Sequence, residues 1–281
     1  MAAGRRVREA GPMSLAISHQ AAAGARARLA SALPRGPWDL VRQIAIVSLF
    51  DIAYELSRVL ATGGRGAALA HAHSVVAAER SLGMFHELSV QRFAMHAPGI
   101  VLDIANWTYF NAQFTVTFLF LLWAYLRHTD RYTTIRNTVI AADAIGLIGY
   151  LAYPTAPPRM LPRLGFTDTL NGAAVNHHSG AIASLANPYA AMPSLHTAYA
   201  LIFGVSGVVL ARRWWIRGLW ALYPGLVVFS IVATANHFLL DAVAGAAVAL
   251  AAATLTTVVL PRWTRSGRPR TAALTPERAC T

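Results

Sequence analysis

Long apolar segments alternate with short arginine-containing segments along most of the chain. The longest charge-free runs cover residues 104–126, 198–211, 218–235 and 242–260. Each run approaches or reaches the roughly 20 residues that a helix needs to cross a bilayer. Two further runs carry a few charged residues, which a membrane protein accepts where they face the bundle interior. The pattern predicts an all-α polytopic membrane protein with six transmembrane helices, at about residues 40–60, 99–126, 137–153, 194–211, 218–235 and 238–260.

The segment 62–97 has a different pattern, in which apolar residues alternate with histidine, glutamate and arginine. An amphipathic segment of this kind favours a helix lying at the membrane interface over one that crosses the bilayer. We therefore expect one interfacial amphipathic helix before the second transmembrane helix. The histidines of this segment, His71, His73, His86 and His96, are expected to lie at the interface and not to bind a metal.

Composition supports the membrane class. Apolar residues make up 56% of the 281 residues and charged residues 13%, whereas soluble domains carry about 25% charged residues. Cys280 is the single cysteine, so an intrachain disulfide is excluded.

All 24 cationic side chains are arginine, and the pI is near 10.9. A nucleic-acid partner is not expected, because the arginines lie in short loops and tails and not on a basic face. They are concentrated in the tails and in the loops on the same side, so the positive-inside rule predicts a cell-membrane protein with both termini in the cytoplasm. We expect three regions: a disordered cytoplasmic tail (1–36), a six-helix membrane domain (37–261) and a cytoplasmic tail (262–281).

Candidate chemistry lies in two short stretches, Pro193-Ser194-Leu195-His196 and Asn236-His237. Asp241 follows His237 by four residues, so in a helix both would share one face and the carboxylate could bind one imidazole nitrogen. That contact would fix the tautomer and leave the other nitrogen as a nucleophile or base. The predicted topology places His196, His237 and Arg159 together at the extracytoplasmic face.

These groups suit phosphoryl transfer without a metal or a cofactor. The planar donor fork of Arg159 matches an anionic oxygen. The turn at Ser194 offers a hydroxyl and backbone N–H groups at a helix N-terminus, and Asn236 is predicted to bind the substrate phosphate with them. His237, oriented by Asp241, would attack phosphorus while His196 protonates the leaving oxygen.

Three other interpretations remain open at this point. A single histidine at a helix end is commonly satisfied by backbone or water. His237 and Asp241 also have the spacing of two metal ligands, although a third ligand is not obvious beyond His196 or the His177-His178 pair. Asp143, inside the third predicted transmembrane helix, could serve ion or proton transport, but the chain shows no inverted repeat.

The motif Pro-Ser-Leu-His at 193–196, followed by His237-Phe-Leu-Leu-Asp241, resembles the second and third motifs of the type 2 phosphatidic acid phosphatase superfamily. The stretch Tyr153–Met160, with its Pro-Pro-Arg, resembles the first motif of the inositol phosphorylceramide synthase-like (inositolphosphotransferase) branch. The resemblance covers roughly residues 100–255. It implies a six-helix membrane fold, a phosphohistidine on His237, His196 as acid and base, Asp241 as the orienting group, and no metal requirement.

Two positions depart from the phosphatase form of these motifs. Ala152 stands where that form has a lysine, and Ile231, after Ser230, stands where it has an arginine. A phosphodiester monoanion needs fewer compensating cations than a phosphomonoester dianion. The sequence therefore predicts a lipid phosphotransferase that moves a phosphoinositol-like headgroup from a membrane lipid to an alcohol acceptor. The alternatives are a lipid phosphate phosphatase that uses water on a phosphomonoester or pyrophosphate lipid, and a non-enzymatic transporter.

Overall fold

The computed structural model describes residues 33–60, 64–169 and 189–260. Within these ranges the chain forms eight α-helices, named α1 to α8: Pro37–Leu60, Arg65–Ser81, Glu87–His96, Gly99–Arg127, Thr129–Ala152, Leu195–Leu210, Trp214–Ala233 and Leu239–Val259. The described residues contain an isolated β-bridge between Thr155 and Ala190 and no β-strand. The all-α prediction is confirmed. The predictions for His177, His178, the C-terminal tail and most of the N-terminal tail fall outside the described residues.

Four of the described helices, α4, α5, α7 and α8, are long and apolar enough to cross a membrane. They contain 29, 24, 20 and 21 residues, and about 20 residues at 1.5 Å each match a 30 Å hydrocarbon layer. Their outer faces expose large apolar side chains such as Phe118, Ile148, Leu222 and Leu250. Side chains of this kind are stable on an outer surface when lipid surrounds it. The chain is a membrane protein with several transmembrane helices.

The other two predicted membrane crossings differ from these four. α6 is apolar but has 16 residues, and α1 has 24 residues with polar side chains such as Asp39 and Arg42 on its first turns. The count of six therefore stays a prediction. α5 also starts earlier than predicted, since residues 129–136, expected as a loop, form its first turns and His128 alone separates it from α4.

The segment predicted as one interfacial helix forms two helices, α2 and α3. They are joined by a turn in which Gly83 has φ 67°, a left-handed conformation that glycine adopts without strain. The inner face of α2 is buried, with Ala68, Ala72, Val75 and Val76 packed around Phe238 and Phe166. One face of the segment is therefore part of the bundle core.

α6 lies at the centre of the bundle. Leu195 and Phe203 pack in one cluster with Tyr150 of α5 and Val248 of α8. The start of α6 is joined to the first turn of α8, because the backbone N–H of Ser194 donates to the Asp241 carbonyl at 2.9 Å. The N-terminal ends of these two helices therefore lie side by side at one end of the bundle.

Candidate active site

His196 lies in the first turn of α6. The helix begins there because the Ser194 side chain accepts a hydrogen bond from the backbone N–H of Thr197 at 3.4 Å, which satisfies one donor at the helix start. The half-buried imidazole of His196 stacks on the ring of Tyr109 from α4, with centroids 4.7 Å apart and an interplanar angle of 19°. Tyr109 thus supports one face of the predicted acid and base, a contact that the sequence did not indicate.

His237 lies in the tight connection between α7 and α8. The backbone N–H groups of Asn236 and His237 both donate to the Ile231 carbonyl, at 3.0 and 3.1 Å. The turn requires φ 52° at Ala235, a left-handed conformation that costs a residue with a side chain about 1–2 kcal/mol. The His237 side chain is 5% exposed, so its orientation is set by protein groups.

The Nδ1 atom of His237 lies 2.8 Å from the carbonyl oxygen of Ala191. Because a carbonyl oxygen only accepts hydrogen bonds, the proton of the neutral imidazole lies on Nδ1. Nε2 is then the unprotonated nitrogen. Any nucleophilic or basic chemistry of His237 falls to Nε2.

Asp241 lies close to the same imidazole in a different arrangement from the one predicted. Its Oδ2 atom is 3.4 Å from Nδ1 of His237 and accepts a 2.9 Å hydrogen bond from the Phe238 backbone N–H. His237 and Asp241 do not share a helix face, since α8 begins at Leu239 and His237 precedes it. Asp241 reaches back from the third position of the helix to the residue before it, as in a capping box.

The rings of His196 and His237 contact each other in a T-shaped arrangement, with centroids 5.5 Å apart and an interplanar angle of 61°. The structure therefore brings together two histidines that lie far apart in the sequence.

Arg159 is held beside His237 by two hydrogen bonds. It lies in a 3₁₀ turn, Pro158–Met160, and its backbone N–H donates to the Ala235 carbonyl at 2.9 Å. Its guanidinium donates to the side-chain oxygen of Asn236. Asn236 is 2% exposed and donates in turn to the Thr234 carbonyl at 3.2 Å and hydroxyl at 2.8 Å. Arg159 is therefore held by Ala235 and Asn236, the two residues that precede His237 in the chain.

Comparison with known proteins identifies the family of the chain. The sequence profile of the PAP2 superfamily matches residues 73–255. The chain belongs to the PAP2 superfamily. Similarity also extends to the phosphoinositol dihydroceramide synthase of Bacteroides thetaiotaomicron, which is 26% identical over 173 residues. That match covers 56% of this chain and 56% of the relative, so the chain spans little more than half of the relative's length. It supports the inositol phosphorylceramide synthase-like branch of the superfamily. No solved structure matches the chain.

Ser194 and Asn236 have structural partners in this PAP2 protein. Ser194 is fully buried, and its hydroxyl caps α6 while its N–H binds the Asp241 carbonyl. The Asn236 side chain binds Arg159 and Thr234. Direct contact of either side chain with phosphate stays a prediction.

The two positions that differ from the phosphatase motifs carry no charge toward this site. Ile231 is fully buried in an apolar cluster with Ala200 and Val227. Ala152 is the last residue of α5. Arg163, a nearby arginine that could restore one of the two missing charges, is exposed in the next 3₁₀ turn.

Several groups of the site carry no signal in the sequence. Ala191 belongs to a short extended segment that is paired with Thr155, whose carbonyl accepts the Ala191 N–H at 3.2 Å. α2 supports the same region, because Nδ1 of His71 lies 2.8 Å from the Pro154 carbonyl. Glu79 and Glu87 bind the start of α8 and are fully buried. A hydrogen bond to a main-chain carbonyl does not depend on the residue type, so the sequence could not reveal the role of Ala191. A glutamate in an amphipathic segment is typical of a solvent-exposed face, so the burial of Glu79 and Glu87 was not expected either.

Proposed function

We propose that this PAP2 protein is an integral membrane lipid phosphotransferase that moves a phosphoinositol-like headgroup from a lipid donor to an alcohol acceptor. The observation that carries the proposal is the arrangement of His237, with Nδ1 directed at the Ala191 carbonyl and the His196 ring at 5.5 Å. The family and the synthase relative support a lipid substrate and an enzymatic role. The name of the relative supports phosphoinositol as the transferred group.

In the first step, Nε2 of His237 attacks the phosphorus of the donor lipid. The phosphorus–oxygen bond to the lipid breaks, and the leaving oxygen takes a proton from His196. The product is a phosphohistidine that carries the headgroup. Arg159 compensates the negative charge that develops on the phosphoryl oxygens.

In the second step, His196 removes the proton of the acceptor hydroxyl. The acceptor oxygen attacks phosphorus, and the bond to Nε2 of His237 breaks. Asp241, 3.4 Å from Nδ1, stabilises positive charge on the imidazole during both steps. No step calls for a metal ion.

A diester donor fits the charge at the site better than a monoester. The Arg159 guanidinium lies in the site and binds Asn236. Ile231 and Ala152 supply no cation, and Arg163 is exposed. A monoester dianion would leave one negative charge without a matched cation. The donor is therefore a phosphodiester lipid, from which the phosphorylated headgroup is transferred. The reaction takes place at the extracytoplasmic face of the cell membrane, where the predicted topology places both histidines.

The proposal is tested with detergent-purified protein in excess chelator. One sample receives phosphatidate, and a second receives phosphatidylinositol with a long-chain alcohol acceptor such as the dihydroceramide named for the relative. We expect headgroup transfer and diacylglycerol release in the second sample. Phosphate release from phosphatidate alone would show a lipid phosphatase instead. Activity that requires an added divalent metal would contradict the metal-free mechanism.

A further inference from the structure

Two glutamates from α2 and α3 bind the first turn of α8. Oε1 of Glu79 accepts a hydrogen bond from the Leu240 N–H at 2.7 Å, and Oε1 of Glu87 accepts one from the Leu239 N–H at 2.9 Å. Asp241 accepts the Phe238 N–H. The first N–H groups of a helix have no partner inside the helix. Three carboxyl groups from three helices supply those partners, and they hold the helix that begins two residues after His237.

These three carboxyl groups are fully buried, and in the part of the chain that the structure describes neither Glu79 nor Glu87 forms an ion pair with a cation. Each side chain is 0% exposed. The charged groups that act on the Glu79 carboxyl are Glu87 from α3 and Asp241 from α8, both acidic. The neighbouring Arg80 lies over the Phe85 ring, with its guanidinium carbon 4.9 Å from the ring centroid. Several ionised carboxylates in one dry site are strongly unfavourable.

The second oxygen of each glutamate shows where a proton is needed. Oε2 of Glu79 and Oε2 of Glu87 are buried and meet no hydrogen-bond donor among the described residues. A carboxylate oxygen only accepts, but a protonated carboxyl group also donates. The two glutamate side chains contact each other, so one proton between them satisfies both groups.

We propose that Glu79 and Glu87 share one proton and that this carboxyl pair positions His237 by fixing the first turn of α8. The connection is short, because Phe238, whose N–H binds Asp241, directly follows His237. The pair thereby keeps His237 against the Ala191 carbonyl and the His196 ring. The consequence for catalysis rests on the proposed function, whereas the shared proton does not.

The electrostatic environment agrees with a shared proton at neutral pH. Burial, together with Glu87, raises the pKa of Glu79 from its ordinary value of 4.5 to about 8. Below this pH Glu79 is protonated and donates a hydrogen bond to Glu87. Above it, two adjacent buried anions repel each other, and the start of α8 loses one of its supports.

Glu79→Gln removes the titrating proton and keeps the hydrogen bonds of the side chain. The glutamine amide accepts the Leu240 N–H and donates to Glu87, as the protonated carboxyl does, but it does not titrate. We expect the rate of the wild type to decline as the pH rises through about 8, and the rate of Glu79→Gln to stay level. Glu79→Ala, which leaves the Leu240 N–H unpaired, should lower kcat by about 10-fold at neutral pH with little change in KM. Asp103→Asn, which changes an exposed acid on α4, is the matched control and should retain the wild-type profile.

A second measurement does not depend on catalysis. The folded protein holds a proton on this pair between pH 4.5 and about 8 that the unfolded chain releases. Its unfolding temperature should therefore fall with rising pH across this window, relative to that of Glu79→Gln. The infrared band of a protonated carboxyl group should be present at pH 6 in the wild type and absent from Glu79→Gln.

The proposal of a shared proton would be overturned if the wild type and Glu79→Gln showed the same pH dependence of unfolding and the same carboxyl band. A pH dependence of unfolding as expected, together with rates that fall equally in both proteins above pH 8, would overturn the positioning role. A wild type that is inactive on every diester donor would refute the proposed function, while the unfolding and infrared results would still decide the shared proton.

Discussion

The imidazole of His237 is held at Nδ1 by two groups of different chemistry. The Ala191 carbonyl at 2.8 Å fixes the tautomer, and the Asp241 carboxyl group at 3.4 Å is placed to stabilise positive charge on the ring. In many nucleophile–base arrangements one carboxylate performs both tasks. Here a main-chain carbonyl takes the first task, so the chemistry depends on the extended segment that positions Ala191.

Because Ala191 fixes the tautomer and Asp241 acts through its charge, the effect of Asp241→Asn can be predicted. The asparagine oxygen can still accept the Phe238 N–H, and Ala191 still fixes the tautomer, so kcat should fall by about 10–100-fold through the lost charge. Where a carboxylate controls the tautomer, the same change costs about 10⁴-fold. His237→Ala, with the fold retained, should abolish turnover and provides the reference. If Asp241→Asn were as inactive as His237→Ala, the carboxylate and not the Ala191 carbonyl would control the tautomer.

At the scale of helices, the site depends on the close approach of α6 and α8. A Cβ atom at Gly245 would lie 2.1 Å from the Ser194 carbonyl oxygen, and this contact involves backbone that cannot rotate away. The same region contains the Ser194 N–H bond to Asp241. A side chain at this position would therefore separate the helices that carry His196 and Asp241.

Gly245→Ala tests this contact. We expect the free energy of unfolding to fall by about 1–3 kcal/mol, the usual cost of overpacking, and kcat to fall with it. Gly225→Ala on α7, where an added Cβ meets no atom within 4 Å, is the matched control. Thermal unfolding in detergent and rates on the diester donor would be compared for the two variants. Equal stability and equal rates would show that α6 and α8 can move apart without consequence.

The sequence predicted the helices that hydrophobicity determines and missed the features that arise from packing. The runs that became α4, α7 and α8 were identified because a crossing helix needs a long apolar segment. The first turns of α5 were missed since Arg131 and Arg136 give them the composition of a loop. Burial of Glu79 could not be foreseen, because it depends on the Leu240 N–H, which lies 161 residues away.

The proximity of the candidate residues could be predicted from the sequence, whereas their individual hydrogen bonds could not. The predicted topology placed His196, His237 and Arg159 in one group, and the structure brings His196 to His237 and Arg159 to Asn236. The hydrogen bonds of Ala191, Ser194 and Asn236 depend on where helices begin. His237 lies outside α8, which begins at Leu239, and a main-chain carbonyl therefore approaches Nδ1 together with the expected partner, Asp241.

At the scale of the whole molecule, the predicted topology places the candidate site at the extracytoplasmic face and both termini in the cytoplasm. Labelling with a membrane-impermeant thiol reagent tests this. Cys280, the single cysteine, should react only after the membrane is opened. In a Cys280→Ser background, Arg163→Cys should react in intact cells, because this exposed position lies in the 3₁₀ turn next to Arg159. The opposite pattern would place the site in the cytoplasm.

The central claim, a covalent intermediate on His237, is tested most directly by trapping it. Purified protein would be mixed with phosphatidylinositol without acceptor and quenched in alkali, which preserves a phosphorus–nitrogen bond, and its peptides would be analysed by mass spectrometry. The account predicts a phosphoinositol adduct on the peptide that contains His237, lost on acid treatment and on addition of acceptor. Its absence from His237→Ala would confirm the residue. An adduct on another residue, or normal turnover by His237→Ala, would contradict the account.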